Sequence, residues 1–494
     1  MTLWKQLFAV KSVDLLLAEL AGEHRLRRVL GPVSLTALGV GAIIGAGIFV
    51  LTGLAANEKA GPALMLSFVV AGTGCALAAL CYAEFAAMVP VAGSAYAYAY
   101  ATLGELFAWI IGWDLILEYG VASSTVAHGW SHYFLALLKT FDITLPEAWT
   151  NNPIGFHPDT HTWFVTGAVC NLPAALVVLF ITVILVVGIR ESARFNAAMV
   201  ILKVAIVLFV IVVGAGYVKT ENWHPFLPYG WAGVFKGAAY VFFAYIGFDS
   251  VSTHAEEACN PQRDVPIGII ISLALCTVLY ILVAAVLTGM VPYHQIDIHA
   301  PVANAFAVRG LPVATFIISV AAVAGITSVL LVLLLSQARV LLAMARDGLI
   351  PSKFFGDVHP RFRTPHKATI LTGVLVAVIA ALVPLDILAE LVNIGTLMAF
   401  VIVCAAVIVM RRTNPDLPRP FRTPLVPLLP VLGIVANLGM MCALPFENWV
   451  RLVVWLAIGL AIYFGYGRHR SHLAQALARE LALGGASPGG HARP

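Results

Sequence analysis

Charge is what this sequence has least of. Of its 494 residues 11% are charged and 61% hydrophobic, whereas a soluble domain carries about 25% charged residues. That shortage, spread over the whole length, excludes a soluble globular chain and leaves a polytopic membrane protein. Cysteine is sparse as well. The seven cysteines (Cys75, Cys81, Cys170, Cys259, Cys276, Cys404, Cys442) lie mostly in apolar stretches, with no CxxC or Cys/His cluster, so neither a disulfide framework nor a metal site is expected. A GxxxxGKS/T phosphate loop is missing, which argues against an ATP-driven pump. No nucleophile–base pair is readable, so no catalytic residue is expected and the chain is not read as an enzyme. Nucleic acid is not an expected partner. No small-residue cleavage pattern follows the weakly apolar residues 12–20. Residues 1–32, with Lys5, Lys11, Arg25, Arg27 and Arg28, read as a cytoplasmic amphipathic lead-in and not as a cleaved signal.

What is present is a series of apolar stretches, each long enough to cross a bilayer. Twelve are expected: 33–55, 62–88, 95–128, 164–188, 194–216, 233–257, 265–290, 311–342, 368–384, 387–410, 424–444 and 449–467, called spans 1–12 below. The third and eighth exceed one crossing and are expected to tilt or to extend beyond the membrane. With the N-terminus inside, 22 Lys and Arg fall on the inner side against 6 on the outer, and Lys203 falls within a span. Positive charge marks the cytoplasmic side, so both termini are expected in the cytoplasm of a cell (inner) membrane. The loop 139–163 reads as an irregular outer cap. Residues 292–310 suit a short helix over the outer mouth. The Gly/Pro-rich tail from residue 484 reads as disordered.

Two spans carry interruptions. Residues 39–49 read GVGAIIGAGIF, with Gly39, Gly41, Gly45 and Gly47 inside span 1. Each helix-interior glycine costs about 0.8–1 kcal/mol relative to alanine. Such a run either permits close helix packing or unwinds the helix and exposes backbone to a buried cavity. Span 6 has its own interruption, YVFFAYIGFDS over residues 240–250, with Gly247 in mid-span. Five spans separate the two, so the repeat is inverted, and paired breaks in inverted halves point to the binding site of a gradient-driven carrier. The half-helix starting near Gly45, Ala46 and Gly47 directs N–H groups and a positive dipole end at the site, which suits a carboxylate. The half-helices ending near Ile43 and near Phe243, Ala244 and Ile246 offer carbonyls, which suit an ammonium. Together they describe a zwitterionic α-amino acid.

Several polar side chains lie within spans. Lys203 is mid-span and is expected to face the interior. It can exchange a proton during transport and bond carbonyls at the span 1 break, or it can be a static tie. Glu118 in span 3, with Asp114 four residues earlier on the same face, reads as a counter-charge for a cationic substrate, a partner of Lys203, or a structural acid. Glu84 near the inner end of span 2 reads as structural or as a gate. Asp249 reads as a cap on the second half of span 6. Thr327 and Ser328 can contribute to a Na⁺ site or simply bond back to their own helix.

The motif stretches GVGAIIGAGIFVLTG (39–53), CYAEFAAMVPVAGSAYAY (81–98), GWDLILEY (112–119), GIRESARFN (188–196), FFAYIGFDSVSTHAEEACNPQRDVPIGI (242–269) and SQARVLLAMARDGLIP (336–351) resemble the amino acid–polyamine–organocation (APC) permeases. They are most similar to the bacterial relatives of the cationic amino acid transporters, over about residues 25–470. The resemblance implies an all-α membrane protein of the LeuT type: twelve transmembrane helices, a 5+5 inverted repeat with helices 1 and 6 broken, plus two additional helices. The repeats would be 33–216 and 233–410, followed by helices 11–12 (424–467) and a cytoplasmic tail (468–494). It implies proton-coupled symport of L-amino acids into the cell by alternating access, small neutral such as alanine and/or cationic. An exchanger, or an arginine/lysine uniporter without obligatory proton coupling, is the alternative. No cofactor is implied, and the coupling ion is expected to be H⁺ rather than Na⁺. By the same resemblance, Gly45, Ala46 and Gly47 hold the carboxylate, and Ile43, Phe243, Ala244 and Ile246 hold the amino group. Lys203 occupies a sodium-like position and couples protons, Glu118 serves gating or side-chain recognition, and Ile326 lines the side-chain pocket. A bulky Ile326 shortens that pocket and favours small neutral substrates. A small accessory membrane subunit is left open.

Overall fold

The computed structural model describes residues 3–11, 28, 30–89, 94–157, 162–188, 193–362 and 364–482. The lead-in over residues 12–20, His161, Arg190 within the 188–196 motif and the tail from residue 484 lie outside the described residues. Among those described, eight helices are long and apolar enough to cross a membrane, and four shorter apolar helices accompany them. Divided at their breaks and turns, they are the twelve expected spans.

Span 1 runs from Pro32–Ile43, through a break, into a partly π-helical second half over Gly47–Leu51, Thr52–Leu54 and Ala55–Ala60. Gly61, at φ 63°, turns the chain into span 2 (Leu64–Met88). Span 3 differs from expectation. The stretch 95–128 is two helices, a short one over Ser94–Thr102 and a long one over Glu105–Lys139. Gly104 between them has φ 98°, a left-handed conformation that glycine adopts without penalty. Spans 4 and 5 are Leu172–Val187 and Ala193–Ala215. Span 6 comprises Gly230–Val241, a 3₁₀ turn over Phe242–Tyr245, a break, and Ser250–Thr253. Spans 7–11 are Pro261–Met290, Pro312–Arg346, His366–Leu382, Leu385–Thr413 and Leu428–Ala443. Span 12 is Phe446–Ile462, continued by a π-helical turn over Tyr463–Gly467. The cap loop after span 3 contains a small antiparallel hairpin, β1 (Ile154–His157) with β2 (Thr162–Val165). The loop before span 8 carries the short helix Pro301–Val308.

The packing repeats with a period of five. Span 2 lies along span 7, span 3 along span 8, and span 4 along span 9. Span 5 touches spans 1, 7 and 8, while span 10 touches spans 6, 2 and 3. Adding or subtracting five converts one set of contacts into the other, as a pseudo-two-fold axis between the halves requires. Spans 11 and 12 pack outside, and span 12 is clasped to span 3 by tryptophan. Trp113 and Trp455 stack at 4.5 Å, and each indole N–H donates to the other's carbonyl, at 2.8 and 3.1 Å. Apolar side chains of spans 4, 5, 7 and 9 such as Phe180, Val212, Val278 and Leu375 face outward, as lipid contact demands. The first and last described segments meet on one face, where the Gln6 amide donates to the Arg468 carbonyl at 2.6 Å.

Candidate substrate site between the broken helices

The four glycines of span 1 face four different neighbours. A Cβ on Gly39 would meet Ser272 of span 7, with 2.7 Å to its Cβ. One on Gly41 would lie 2.6 Å from Val200 Cγ2 of span 5, and one on Gly45 would lie 2.9 Å from Val329 Cγ2 of span 8. On Gly47 it would fall on the Cα of Ala244 in span 6, 2.9 Å from that residue's nitrogen. The packing and break readings of this run are therefore both correct, for different residues. Gly39 and Gly41 let span 1 sit close to spans 7 and 5. Gly45 and Gly47 belong to the break, where Ile44 is extended (φ −73°, ψ 103°) and helix resumes at Ala46.

The span 6 break mirrors it. Ile246 is extended (φ −58°, ψ 135°), and Gly247 has φ 113°, a region L-residues avoid. A Cβ there would also lie 2.9 Å from the Ala42 carbonyl oxygen, so glycine is required twice over. The two breaks thus touch backbone to backbone. The first N–H groups of a helix have no partner in their own ladder, so those following Gly45 point into the junction. Ile43, Ala46, Phe243, Ala244 and Ile246 are all buried.

Two of the expected carbonyls already accept hydrogen bonds. Ile43 accepts from the Tyr280 hydroxyl of span 7 at 2.8 Å, and Phe243 accepts from the Ile246 N–H at 3.2 Å. Each keeps a second lone pair, but their first role is to hold the breaks in shape. Sequence reasoning missed Tyr280, which carries no motif signal.

Lys203 is 1% exposed. Its Nζ donates to the Gly41 carbonyl at 2.6 Å, and its stem runs across span 8, with Cγ 3.3 Å from the Cβ position of Gly325. It joins spans 5, 1 and 8 at one point. Beside it, Ser328 bonds back to the Gly325 carbonyl at 3.0 Å and Thr327 to Val323 at 2.7 Å, while Trp130 Nε1 donates to Thr327 Oγ1 at 2.9 Å. These hydroxyls are engaged within span 8 and with span 3. Ile326 is wholly buried, and Val329, one turn further along the same face, is the span 8 residue against Gly45.

Glu118 is buried in span 3 and faces Thr396 of span 10 together with the carboxyls of Asp114 and Asp249. Asp249 occupies the position before Ser250–Thr253 without a side-chain cap bond. Its carboxylate turns to span 3 instead, where the Tyr119 hydroxyl donates to Oδ2 at 3.0 Å. Glu84 holds Arg411 with two bonds, at 2.7 and 2.9 Å, and accepts the Thr423 N–H at 2.8 Å, so it ties span 2 to the end of span 10.

The junction is shut on both faces. On the termini face, Asp347 at the end of span 8 accepts from Lys11 (3.1 Å), from the Tyr96 hydroxyl (2.6 Å) and from the His472 N–H at its carbonyl (3.0 Å). An aromatic group of Tyr82, Tyr98, Phe248 and Phe400 lies between that latch and the breaks. On the opposite face, Tyr133 donates to the Phe49 carbonyl at 2.7 Å. There the loop before span 8 presses on span 1, with Pro301 Cβ 2.7 Å from the Cβ position of Gly53.

An inverted repeat whose two broken helices meet in a closed junction, with a buried lysine at one break, defines a helical membrane transporter. Comparison with known proteins agrees. Residues 30–465 match the amino acid permease family. The chain is 52% identical to a branched-chain amino acid permease of Bacillus subtilis, over 95% of this chain and 99% of that protein. It is 49% identical to a methylthioribose transporter of the same organism, over 94% and 99%. With a human cationic amino acid transporter the identity is 33%, over 90% and 88%. The chain belongs to the amino acid permease family. It is an amino acid transporter embedded in a membrane, and not an enzyme.

Proposed function

We propose that this permease carries neutral aliphatic L-amino acids, of alanine to valine size, into the cell by proton symport. The observation that carries the reading is the backbone contact of Gly47 with Ala244. It brings the start of one helical segment against the break of the other, which supports a site with N–H donors for an α-carboxylate and carbonyls for its ammonium. In this reading Gly45, Ala46 and Gly47 take the carboxylate. Ala244 and Ile246 take the ammonium, with Ile43 and Phe243 lending their second lone pairs. Ile326 and Val329 bound the side chain. The high identity to a branched-chain permease supports an aliphatic substrate. Lys203 is the proton-responsive tie: charged, it holds span 1 by Gly41; neutral, it releases it. Glu118 acts as an inner gate. The termini face is the cytoplasmic one, by its excess of Lys and Arg.

The test is uptake into proteoliposomes of alanine, valine, arginine and lysine, each with an inward proton gradient, a Na⁺ gradient or neither, with methylthioribose as a further substrate. Valine or alanine accumulation driven by the proton gradient alone is the expected result. Uptake of arginine or lysine that ignores both gradients would replace this reading with a cationic uniporter. One-for-one exchange without accumulation would replace it with an exchanger.

A further inference from the structure

Asp114 is fully buried in span 3, and neither of its carboxyl oxygens has a hydrogen-bond partner. A buried carboxylate left in that state is costly, and unpartnered polar atoms inside a protein call for an explanation. It also lies outside the substrate junction. Its Oδ1 is 2.8 Å from the Cβ position of Gly395 in span 10, so the side chain fits against bare backbone where a larger residue would exclude it. Glu118 lies one turn along the same face, with its Oε1 also buried and unpartnered. Asp249 comes next, across the gap to span 6.

Among the described residues, several neighbouring elements bring polar groups to these three carboxyls. Span 10 contributes Gly395 and Thr396. Span 6 contributes Asp249, and span 3 itself contributes Tyr119. Span 2 contributes Tyr82, which faces both Asp249 and Glu118. The helix Ser94–Thr102 contributes Tyr98, beside Asp249. None of these is basic. Three carboxyls crowded in an apolar interior, with no basic group among these described residues, cannot all be ionised, so the group holds protons.

We propose that Asp114 is a proton-carrying residue of the transport cycle, which packs against span 10 when protonated and holds the two spans apart once it has ionised. The proposal rests on the proton-symport reading. The step is a simple dissociation: the carboxylic acid releases one proton to water entering from the termini face and becomes a carboxylate. The proton comes from the opposite side with the substrate and reaches Asp114 through Glu118. Against Gly395 the neutral acid needs no counter-charge, whereas the ion needs water, which reaches it once span 10 has moved away in the inward-open carrier. The loaded carrier opens inward with Asp114 still protonated. Water then reaches it, and the ion keeps span 10 away until the proton has left for bulk water. A neutral side chain therefore permits exchange but not proton-driven net uptake.

The test compares wild type with Asp114→Asn in proteoliposomes, using L-valine. Asparagine keeps the shape and cannot ionise. Two rates are read: valine exchange with substrate on both sides and no gradient, and net accumulation driven by an inward proton gradient, with a lumenal pH dye reporting proton entry. In the variant we expect exchange within about twofold of wild type, accumulation and valine-dependent proton entry down more than tenfold, and an exchange rate that no longer varies with pH on the termini side. If wild type itself shows no proton-driven accumulation, it is the symport reading that fails, and this proposal falls with it. If wild type is driven and Asp114→Asn still accumulates valine and moves protons, the proposal alone is overturned. It is also overturned if exchange is lost in a monodisperse variant, which would make Asp114 a structural residue, or if the variant gains or loses only lysine and arginine, which would make it a substrate contact.

Discussion

Replacing Gly47 by alanine is the sharpest test of a site made from backbone. The new methyl would fall on the Cα of Ala244, 2.6 Å from its Cβ and 2.9 Å from its nitrogen. Carbon atoms pack at about 3.5–4.0 Å, so the two broken helices must separate by roughly 1 Å. The obstacle is main chain and cannot rotate away. Overpacking of this kind costs about 1–3 kcal/mol, and the cost falls on the junction that closes around substrate. If the whole of it appears in binding, affinity for L-valine falls by a factor of about 5–150. Gly41→Ala meets only a methyl of Val200, at 2.6 Å, which can turn, so its loss should be smaller. Gly120→Ala meets nothing within 4 Å and should bind as wild type. The assay is scintillation-proximity binding of labelled valine to purified protein, beside a thermal ramp with size-exclusion readout. A wild-type Kd for Gly47→Ala, in a folded protein, would refute the argument.

Three further outcomes are expected. Glu84→Gln leaves Arg411 and Arg419 facing a neutral side chain near the C-terminal end of span 2. Breaking such a buried pair costs about 3–5 kcal/mol, so the melting temperature should fall clearly while the ratio of valine to alanine uptake is unchanged. Val329→Ala opens space beside Gly45, and should raise leucine uptake relative to alanine in a competition assay. Trp455→Ala removes the stack on Trp113 and a hydrogen bond to its carbonyl. It should lower thermal stability by about 1–3 kcal/mol and leave KM for valine within twofold.

How much of this could be read in the sequence depended on whether a residue carries its signal locally. The twelve spans, the two breaks and the interior position of Lys203 are local: apolar length, clustered glycine, a lone charge in an apolar run. The split in span 3 was also legible, because Gly104 followed by Glu105 is a helix-start signal, yet the apolar length of 95–128 hid it. The division of the four glycines was not legible, since Gly39 and Gly47 look alike until Ser272 and Ala244 are seen opposite them. Nor was the role of Tyr280, a span 7 hydroxyl whose partner, Ile43, lies 237 residues away. Val329 and Ile326 share one face of span 8, and only the depth of the break, a tertiary quantity, decides which of them touches Gly45.

The inverted repeat supplies a last comparison, between spans 5 and 10. Lys203 of span 5 donates to the Gly41 carbonyl of span 1, before its break. Asn393 of span 10 donates to the Ala239 and Tyr240 carbonyls of span 6, also before its break, at 2.9 Å each. In each half the fifth span thus holds the carbonyl end of the broken one by a side-chain N–H. The two ties differ in one respect: an ammonium can give up its proton and an amide cannot. Symmetry therefore separates holding a break from sensing pH. Asn393→Leu would strip two buried carbonyls of a donor, at about 1–3 kcal/mol each, and should lower melting temperature and transport rate. It should leave the dependence of uptake on external pH with its wild-type slope. Lys203→Met should keep a folded protein and flatten that slope. The measurement is initial valine uptake from pH 5 to 8 for both variants. If Asn393→Leu flattens the profile as fully as Lys203→Met does, the pH response belongs to the closed junction as a whole, and the assignment of proton sensing to span 5 is wrong.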